Sequence, residues 1–223
     1  MHWFISRKEC RNMVRTIIIG TLIAIVAGGC AFTPANLNVG YDSAKAKAGP
    51  LSSVKALKFE VGDLADKRPQ TDKIGYIRNG FGTKTANVST TRPVPVIVRE
   101  AIVAALKKNG HTVVTGSEKD IAISGSVEAF WFESQVNFWT VEFMGTIDIN
   151  LVVQDGRTGQ VLLSKRYSGH HNTALMSGYH KEMADVMNYA LENLIIQISG
   201  DTKLVDALNS FSATPSTSGQ SRL

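Results

Sequence analysis

The sequence predicts an α+β fold, an antiparallel β-sheet meander with two amphipathic helices packed on one face. First, three long segments after residue 120 alternate apolar and polar residues, as half-buried antiparallel strands do. Second, residues 93–109 and 179–198 carry apolar side chains at helical spacing. Third, residues 30–53 and 210–223 are small and polar with no apolar period, which is typical of a flexible tether and a disordered tail. We therefore expect one folded domain over residues 54–209.

The first half of the domain contains turn and helix signals that separate its elements. Asn79 and Gly80 form a strong hairpin signal. Pro93 and Pro95 suit the first turn of a helix, and Asn109 with Gly110 marks its end. In chain order the predicted elements are a strand at 54–61, hairpin strands at 74–78 and 81–88, a helix at 93–109 and a short strand at 111–115.

The second half is predicted to be a three-stranded meander followed by the closing helix. Its opposite, polar face carries Ser124, Glu128, Glu142, Asp148 and Asn150. A short final turn at 204–208 follows the helix at 179–198. The predicted buried face comprises Ile121, Ile123, Val127, Ala129 and Trp131 in the first strand, Trp139, Val141, Phe143, Ile147, Ile149, Leu151 and Val153 in the second, and Val161, Leu163 and Tyr167 in the third.

The first thirty residues have the order of a secretory signal peptide, with basic residues before an apolar segment at 17–27 and small residues after it. The apolar segment is shorter than the roughly 20 residues that a membrane-spanning helix needs. Residues 26–30, which end in Gly29 and Cys30, resemble the lipobox of bacterial lipoproteins. This resemblance implies a signal peptide at 1–29, cleavage between Gly29 and Cys30, and acyl chains on Cys30 as the only attached group, with no cofactor. The alternative to a cleaved signal peptide is a membrane-anchor helix with an incidental cysteine. The sequence leaves open whether translation starts at Met1 or at Met13.

The distribution of charge bears on the class of partner, and the residue after Cys30 bears on the location. The chain holds 24 basic and 19 acidic residues, but the part after residue 29 holds 20 and 18, so no nucleic-acid surface is predicted. Ala31 stands where lipoproteins retained in the inner membrane of enteric bacteria usually carry Asp. We therefore expect a lipid anchor in the inner leaflet of the outer membrane, with the domain in the periplasm.

No residue pattern predicts an enzyme or a metal site. His170, His171 and His180, with Glu182 nearby, match no standard metal-ligand spacing. Ser177 lacks the context of a nucleophile elbow. The glycine-rich segments 80–84 and 156–159 fit hairpin turns, and residues 63–69 fit a solvated charged turn. Glu128 and Glu142 lie on the predicted polar face, where carboxylates are ordinary.

Five aromatic residues concentrate around the first turn of the meander: Phe130, Trp131, Phe132, Phe138 and Trp139. Phe130 and Phe132 fall on the nominally polar face of their strand. The functional interpretation is an exposed tip that docks a partner or a membrane surface. The structural alternative is cross-strand packing beneath another element.

The chain from Cys30 onward resembles the YajG-type family of bacterial outer-membrane lipoproteins. The matching features are the lipobox, the segments 63–68 (DLADKR), 74–75, 98–101 and 107–110, and the meander with its last helix. The resemblance implies a periplasm-facing lipoprotein and supplies no catalytic residues. The long tail and the aromatic hairpin depart from shorter members of that family.

Two functions remain open from the sequence. The first is a non-catalytic, lipid-tethered component or accessory of a larger cell-envelope assembly, with envelope proteins, or further copies of the chain, as partners. The second is a small-ligand or lipid carrier, an auxiliary subunit in envelope lipid transport, which requires an apolar cavity between helices and sheet.

Overall fold

The computed structural model describes residues 33–44, 47–116, 118–136, 139–175 and 180–213. Within these residues a single sheet of nine strands packs against three α-helices. None of these helices combines the length and apolar character that crossing a membrane requires. The strands are β1 (Ala35–Leu37), β2 (Lys58–Val61), β3 (Ala65–Asp66), β4 (Gly75–Arg78), β5 (Lys84–Thr90), β6 (Thr112–Val113), β7 (Ile121–Val136), β8 (Val141–Asp155) and β9 (Val161–Leu175), and the helices are α1 (Val94–Lys108), α2 (His180–Ser199) and α3 (Thr202–Ala213).

The long strand β7 organises the sheet. One edge of β7 pairs antiparallel with β8, which pairs antiparallel with β9, so the predicted meander is present. The other edge pairs in parallel with β2, β3 and β4 in succession. The α+β class is confirmed, but the expectation of a purely antiparallel sheet is wrong. Parallel pairs join strands far apart in sequence, which local periodicity does not reveal.

The helices cover one face of the sheet and form the core with it. The longest, α2, lies on β8 and β9, and its buried side chains include Met183, Met187 and Leu194. Gly169 of β9 makes this close packing possible. A methyl group at this position would lie 2.7 Å from Leu194 N and closer still to the Ala190 carbonyl. The opposite face of the sheet, called here the outer face, carries none of the three helices.

The predicted tether is partly folded. Ala35–Leu37 pairs in parallel with β5, with Ala35 opposite Val88, and Ala35 and Leu37 are buried. Leu51, in the 3-10 turn at Pro50–Ser53, is also buried. The expectation of a flexible tether through residue 53 is therefore wrong for these segments. Each is too short to show a period, and both are stabilised by distant parts of the chain.

The predicted tail also begins later than expected. The final turn predicted at 204–208 is a full helix, α3, which runs to Ala213 and therefore includes residues 210–213. The side chains of Leu204 and Leu208, on the inner side of this helix, are buried. Residues 214–223, the rest of the predicted tail, lie outside the described residues.

Candidate docking surface

A β-bulge at Glu128 changes which side chains of β7 face the core. Val127 lies opposite Ile149, but Ala129 lies opposite Asp148, so Glu128 is an extra residue in the strand. An extra residue exchanges the two faces of everything that follows it. The predicted alternation therefore holds before the bulge and is reversed after it.

The reversal corrects the aromatic prediction. Phe130 and Phe132 are 1% and 0% exposed, and the Phe132 ring packs against Phe143 with centroids 5.2 Å apart. The expectation that these two rings lie on the polar face is wrong, and neither can form an exposed tip. Trp131 faces outward instead of into the core, while Phe138 lies outside the described residues.

Trp139 is also misassigned by the sequence pattern. We expected its side chain on the buried face of β8, but it precedes that strand and is 77% exposed. The turn between β7 and β8 therefore carries one exposed aromatic residue among the described ones. Of the five aromatic residues predicted to form an exposed tip, Trp139 is therefore the one that lies exposed in this turn among the described residues.

On the outer face, Trp131 joins an aromatic pair that spans two strands. Its ring meets Tyr76 of β4 edge-on, with centroids 5.7 Å apart. Lys84 of β5 places Nζ 4.2 Å from the centroid of the Tyr76 ring, and Lys73 approaches the same ring at 5.6 Å. Cations over aromatic faces hold both partners in place on an accessible surface.

A charged pair fixes the orientation of Trp131. Its indole N–H donates to Glu133 Oε2 at 3.0 Å, and Arg78 donates to Glu133 Oε1 through Nε at 2.8 Å and through its second terminal nitrogen. The three side chains are half-buried. The indole is therefore held by a hydrogen bond as well as by the Tyr76 contact. We call Tyr76, Arg78, Lys84, Trp131 and Glu133 the outer-face cluster.

Beside Trp131 the surface sinks into a pocket of about 310 Å³. Its walls are the Arg68, Pro69 and Gln70 segment on one side and residues 128–131 of β7 on the other. The wall on the first side is rigid because Arg68 is only 8% exposed and is fully engaged. It donates to both Asp66 oxygens at 2.8 Å and to the carbonyls of Thr71 and Lys73 at 3.2 Å.

These contacts change the interpretation of the 63–69 segment. The hydrogen bonds from Arg68 hold the pKa of the Asp66 carboxyl below its ordinary value. The 63–69 segment is therefore not simply a solvated turn, since β3 and the buried Arg68 attach it to the sheet. The bidentate geometry explains why arginine, with its planar fork of donors, occupies this position.

Glu128 and Glu142 are not brought together. Glu128 accepts hydrogen bonds from Ser126 Oγ at 2.6 Å and from Asn150 Nδ2 at 3.0 Å, and these contacts lower the pKa of its carboxyl. Glu142 lies seven residues along β8 from Ile149, the partner of Val127. A strand rises about 3.3 Å per residue, so these carboxylates are too far apart to act on one bond.

The histidines of β9 face in opposite directions. The His171 ring packs against Tyr189 of α2 with centroids 4.8 Å apart, whereas His170 Nδ1 lies 3.3 Å from Thr146 Oγ1 on the outer face. Adjacent residues on opposite faces cannot share a metal ion. In the part of the chain that the structure describes, no three His, Cys, Asp or Glu side chains cluster as metal ligands would. The side chain of His180 and all of Ser177, Gly29 and Cys30 lie outside it.

The interior offers little room for a ligand. Between the helices and the sheet the structure contains a void of about 10 Å³, lined by apolar residues that include Phe59, Ile102 and Leu151. A void of this size holds at most about one water molecule. The described residues therefore form no lipid-sized cavity at the place where the carrier hypothesis requires one.

Two exposed or half-exposed aromatic residues were missed by sequence reasoning. Tyr76 completes the pair with Trp131, and Phe81, at the turn of the β4–β5 hairpin, is 96% exposed. The hairpin itself is confirmed, but its turn spans residues 79–83. Asn79 Oδ1 accepts from the backbone N–H groups of Phe81 and Thr83, and Gly82 adopts φ +77°. The signal available in the sequence was an aromatic residue directly after Asn79 and Gly80.

Comparison with known proteins gives a family and a fold. A family model, Lipoprotein_16, described as an uncharacterized lipoprotein, matches residues 63–209. A search of curated proteins found no significant match. Protein XCC0632 from Xanthomonas campestris, of the family DUF330, aligns at a TM-score of 0.52 and 13% identity, over 79% of this chain and 97% of that one. The hypothetical protein CT253 from Chlamydia trachomatis aligns at 0.44 and 7% identity, over 70% and 99%. At 13% identity the likeness to XCC0632 concerns the fold alone.

Proposed function

The chain belongs to this family of uncharacterized lipoproteins, and from that premise we propose that it is a non-catalytic component of the cell envelope that docks a partner protein through the outer-face cluster. In this proposal Cys30 is acylated after cleavage behind Gly29 and holds the domain on the periplasmic side of the outer membrane. The finer assignment to the YajG-type lipoproteins is part of the proposal. It is supported by the family match, which begins at Asp63, the first residue of the DLADKR segment.

The observation that carries the docking function is the pocket beside Trp131. Trp, Tyr and Arg are the residue types that contribute most to protein–protein binding when they sit beside a pocket that a partner side chain can fill. Here Trp131 and Tyr76 are in edge-on contact on the sheet face that carries none of the three helices, and Arg68 stiffens the opposite wall. Such a surface loses little conformational entropy when it binds, because its side chains are already held.

The electrostatics of the cluster favour a partner with both apolar and acidic groups. Lys84 brings its ammonium group to the rim over the Tyr76 ring, whereas Lys73 is already paired with Asp72, and Glu133 is engaged by Arg78 and Trp131. An apolar side chain of the partner would fill the pocket, and a carboxylate at the rim would meet Lys84. Rim charges of this kind contribute mainly to the association rate and to specificity.

The test is crosslinking in cells followed by detergent extraction, affinity capture of the tagged lipoprotein and mass spectrometry. Trp131→Ser should remove a reproducible set of envelope proteins, because it deletes one wall of the pocket without touching the core. Val161→Ser is the control, since Val161 is an exposed apolar residue that starts β9 at the far end of the sheet. Thermal melting of both variants verifies that they fold.

Other outcomes would contradict the proposal. Capture of the same proteins by Trp131→Ser would exclude the outer-face cluster as the docking surface. Recovery of the wild-type chain alone, with further copies of itself, or with bound lipid would instead favour self-association or the carrier. Cys30→Ser should leave an unprocessed or unanchored chain, and unchanged membrane attachment of that variant would contradict acylation at Cys30.

A further inference from the structure

The two most exposed large apolar side chains among the described residues lie at the same end of the sheet. Phe81 is 96% exposed and Trp139 is 77% exposed. Each belongs to a turn, Phe81 after β4 and Trp139 after β7. Because β4 runs parallel to β7, with Gly75 opposite Phe132, the two turns leave the sheet in the same direction. We call this part of the molecule the hairpin end.

The N-terminal chain approaches the same end. Ala35 pairs with Val88, and Val88 pairs with Gly75, so these residues lie in one row across the sheet. From that row β4 runs toward the hairpin end. The strand β5 is antiparallel to β4 and runs away from that end, and β1 is parallel to β5. Residues that precede Ala35 therefore lead back toward the hairpin end.

The short chain between Cys30 and Ala35 limits how far the lipid can lie from the sheet. Four residues lie between them, so five steps of extended chain span at most about 17 Å. Along β4, the rise from Gly75 to Arg78 is about 10 Å, and the turn that carries Phe81 begins at the next residue. A lipid attached to Cys30 is thus within reach of the level at which the Phe81 turn leaves the sheet.

We propose that the hairpin end is a membrane-contact surface, on which Phe81 and Trp139 enter the interface of the bilayer that holds the lipid anchor. Tryptophan is enriched at the headgroup level of membranes because its ring is apolar while its N–H is polar, and a phenylalanine at the tip of a turn buries its ring in the same layer. The inference rests on the proposed acylation of Cys30 and is independent of any protein partner.

The opposite end of the sheet has different chemistry. The β8–β9 turn is formed by residues 155–160, in which Asp155 accepts hydrogen bonds from the backbone N–H groups of Arg157 and Thr158. Its nearest exposed apolar residue is Val161, at 52%. A turn rich in charged and hydroxyl groups would lose solvation in a bilayer interface without gaining apolar burial. Among the described residues, the hairpin end combines its two exposed rings with the approach of the anchor.

The experiment uses the full mature lipoprotein in vesicles of phosphatidylethanolamine and phosphatidylglycerol, in which part of the lipid carries bromine on its acyl chains. The mature chain lacks Trp3, so Trp131→Phe leaves Trp139 as its single tryptophan. Bound to vesicles, this variant should show blue-shifted emission that bromine quenches and aqueous iodide does not. The matched control adds Val161→Trp and Trp139→Phe to Trp131→Phe. Its tryptophan should be quenched by iodide and not by bromine.

Three results would contradict the inference, each in a different way. If the protein floats with the vesicles but Trp139 is quenched only by iodide, the anchor stands and the membrane contact is wrong. If the protein does not float, acylation at Cys30 fails and both proposals about the membrane fail with it. If Phe81→Ser leaves the bromine quenching of Trp139 unchanged, Phe81 has no part in the contact. The expected result for Phe81→Ser is weaker quenching with an unchanged melting temperature.

Discussion

The hydroxyl of Tyr167 donates a hydrogen bond of 2.6 Å to Asp201 Oδ2 and so joins β9 to the start of α3. Asp201 Oδ1 also pairs with Lys165 Nζ at 2.8 Å and accepts from the backbone N–H of Lys203 at 3.2 Å, as a helix N-cap does. Burial acts to raise the pKa of the Asp201 carboxyl, but the bonds from Lys165 and Tyr167 outweigh it and the pKa lies below its ordinary value. Burial raises the pKa of the Tyr167 hydroxyl, and the hydrogen bond to Asp201 raises it further.

Asp201→Ala should lower the free energy of unfolding by about 2–4 kcal/mol, because it removes a helix cap and leaves a buried hydroxyl without its acceptor. Chemical denaturation measures the change. Asp206→Ala, on the exposed side of the same helix, is the control, and its effect should stay within about 0.5 kcal/mol. Equal stability of the two variants would show that the junction does not depend on Asp201.

Arg68→Lys should destabilise the domain by about 2–3 kcal/mol, although it preserves the charge. An ammonium group cannot reproduce two parallel bonds to Asp66 together with bonds to the Thr71 and Lys73 carbonyls. Urea titration of this variant, compared with Lys67→Arg at the exposed neighbouring position, checks the prediction. A wild-type midpoint for Arg68→Lys would mean that the fork geometry is dispensable.

Gly169→Ala should cost about 1–3 kcal/mol, since the new methyl group collides with the backbone of α2 at Ala190 and Leu194. Gly80→Ala is the matched control, because a methyl group there meets no atom within 4 Å. Thermal melting of both variants distinguishes steric exclusion from a general effect of replacing glycine. Similar melting temperatures would contradict the close helix–sheet approach.

His111 should make the domain less stable in mild acid. Its ring is buried, Nδ1 accepts from Leu57 N at 3.4 Å, and Nε2 lies 3.3 Å from the Leu51 carbonyl, which requires the neutral ring with its proton on Nε2. Burial lowers the pKa of His111 from its ordinary value of 6.5. Above pH 6.5 the ring is neutral in both states, and this stability is fully present.

As the pH falls through 6.5, the unfolded chain binds a proton that the folded chain does not, so stability decreases toward the lower folded pKa. Melting temperatures between about pH 7.5 and pH 5.5 should fall for the wild type and fall less for His111→Gln, in the window of histidine titration. His170→Gln, on the outer face, provides the comparison. If His111→Gln retains the full pH dependence, another group is responsible.

The helices were predictable because period and end signals agree locally. The expected helix at 179–198 is observed as His180–Ser199, and Asn109 ends α1 as its composition indicates. The bulge was not predictable, because residues 129–132 are all apolar and either register leaves apolar side chains on both faces. The pairing of β7 with β8 decides which rings are buried, and the sequence of β7 alone does not determine that pairing.

The outer-face cluster and the hairpin end were predictable only in part for the same reason. Trp131 and Trp139 were identified from their density along the chain, whereas Tyr76 and Phe81 reach the surface through a hairpin some 50 residues earlier. Parallel pairing of β4 with β7 brings these segments together. A short strand such as β1 has the same limitation, since its partner β5 lies far along the sequence and its own composition shows no period.

The direction in which β1 enters the sheet has a mechanical consequence. Any tension on the chain that precedes Ala35 acts along the axis of β1, parallel to its neighbour β5, so it loads their hydrogen bonds together in shear instead of unzipping them one by one. Behind the strand, the load passes to Gly40, whose N–H donates to Asn188 Oδ1 at 3.0 Å, and to the Val39 carbonyl, which accepts from Arg92 at 3.1 Å. The attachment point is therefore braced against α2 and the start of α1. Tension on the segment before Ala35 is therefore opposed by the pairing of β1 with β5 and by these two contacts together.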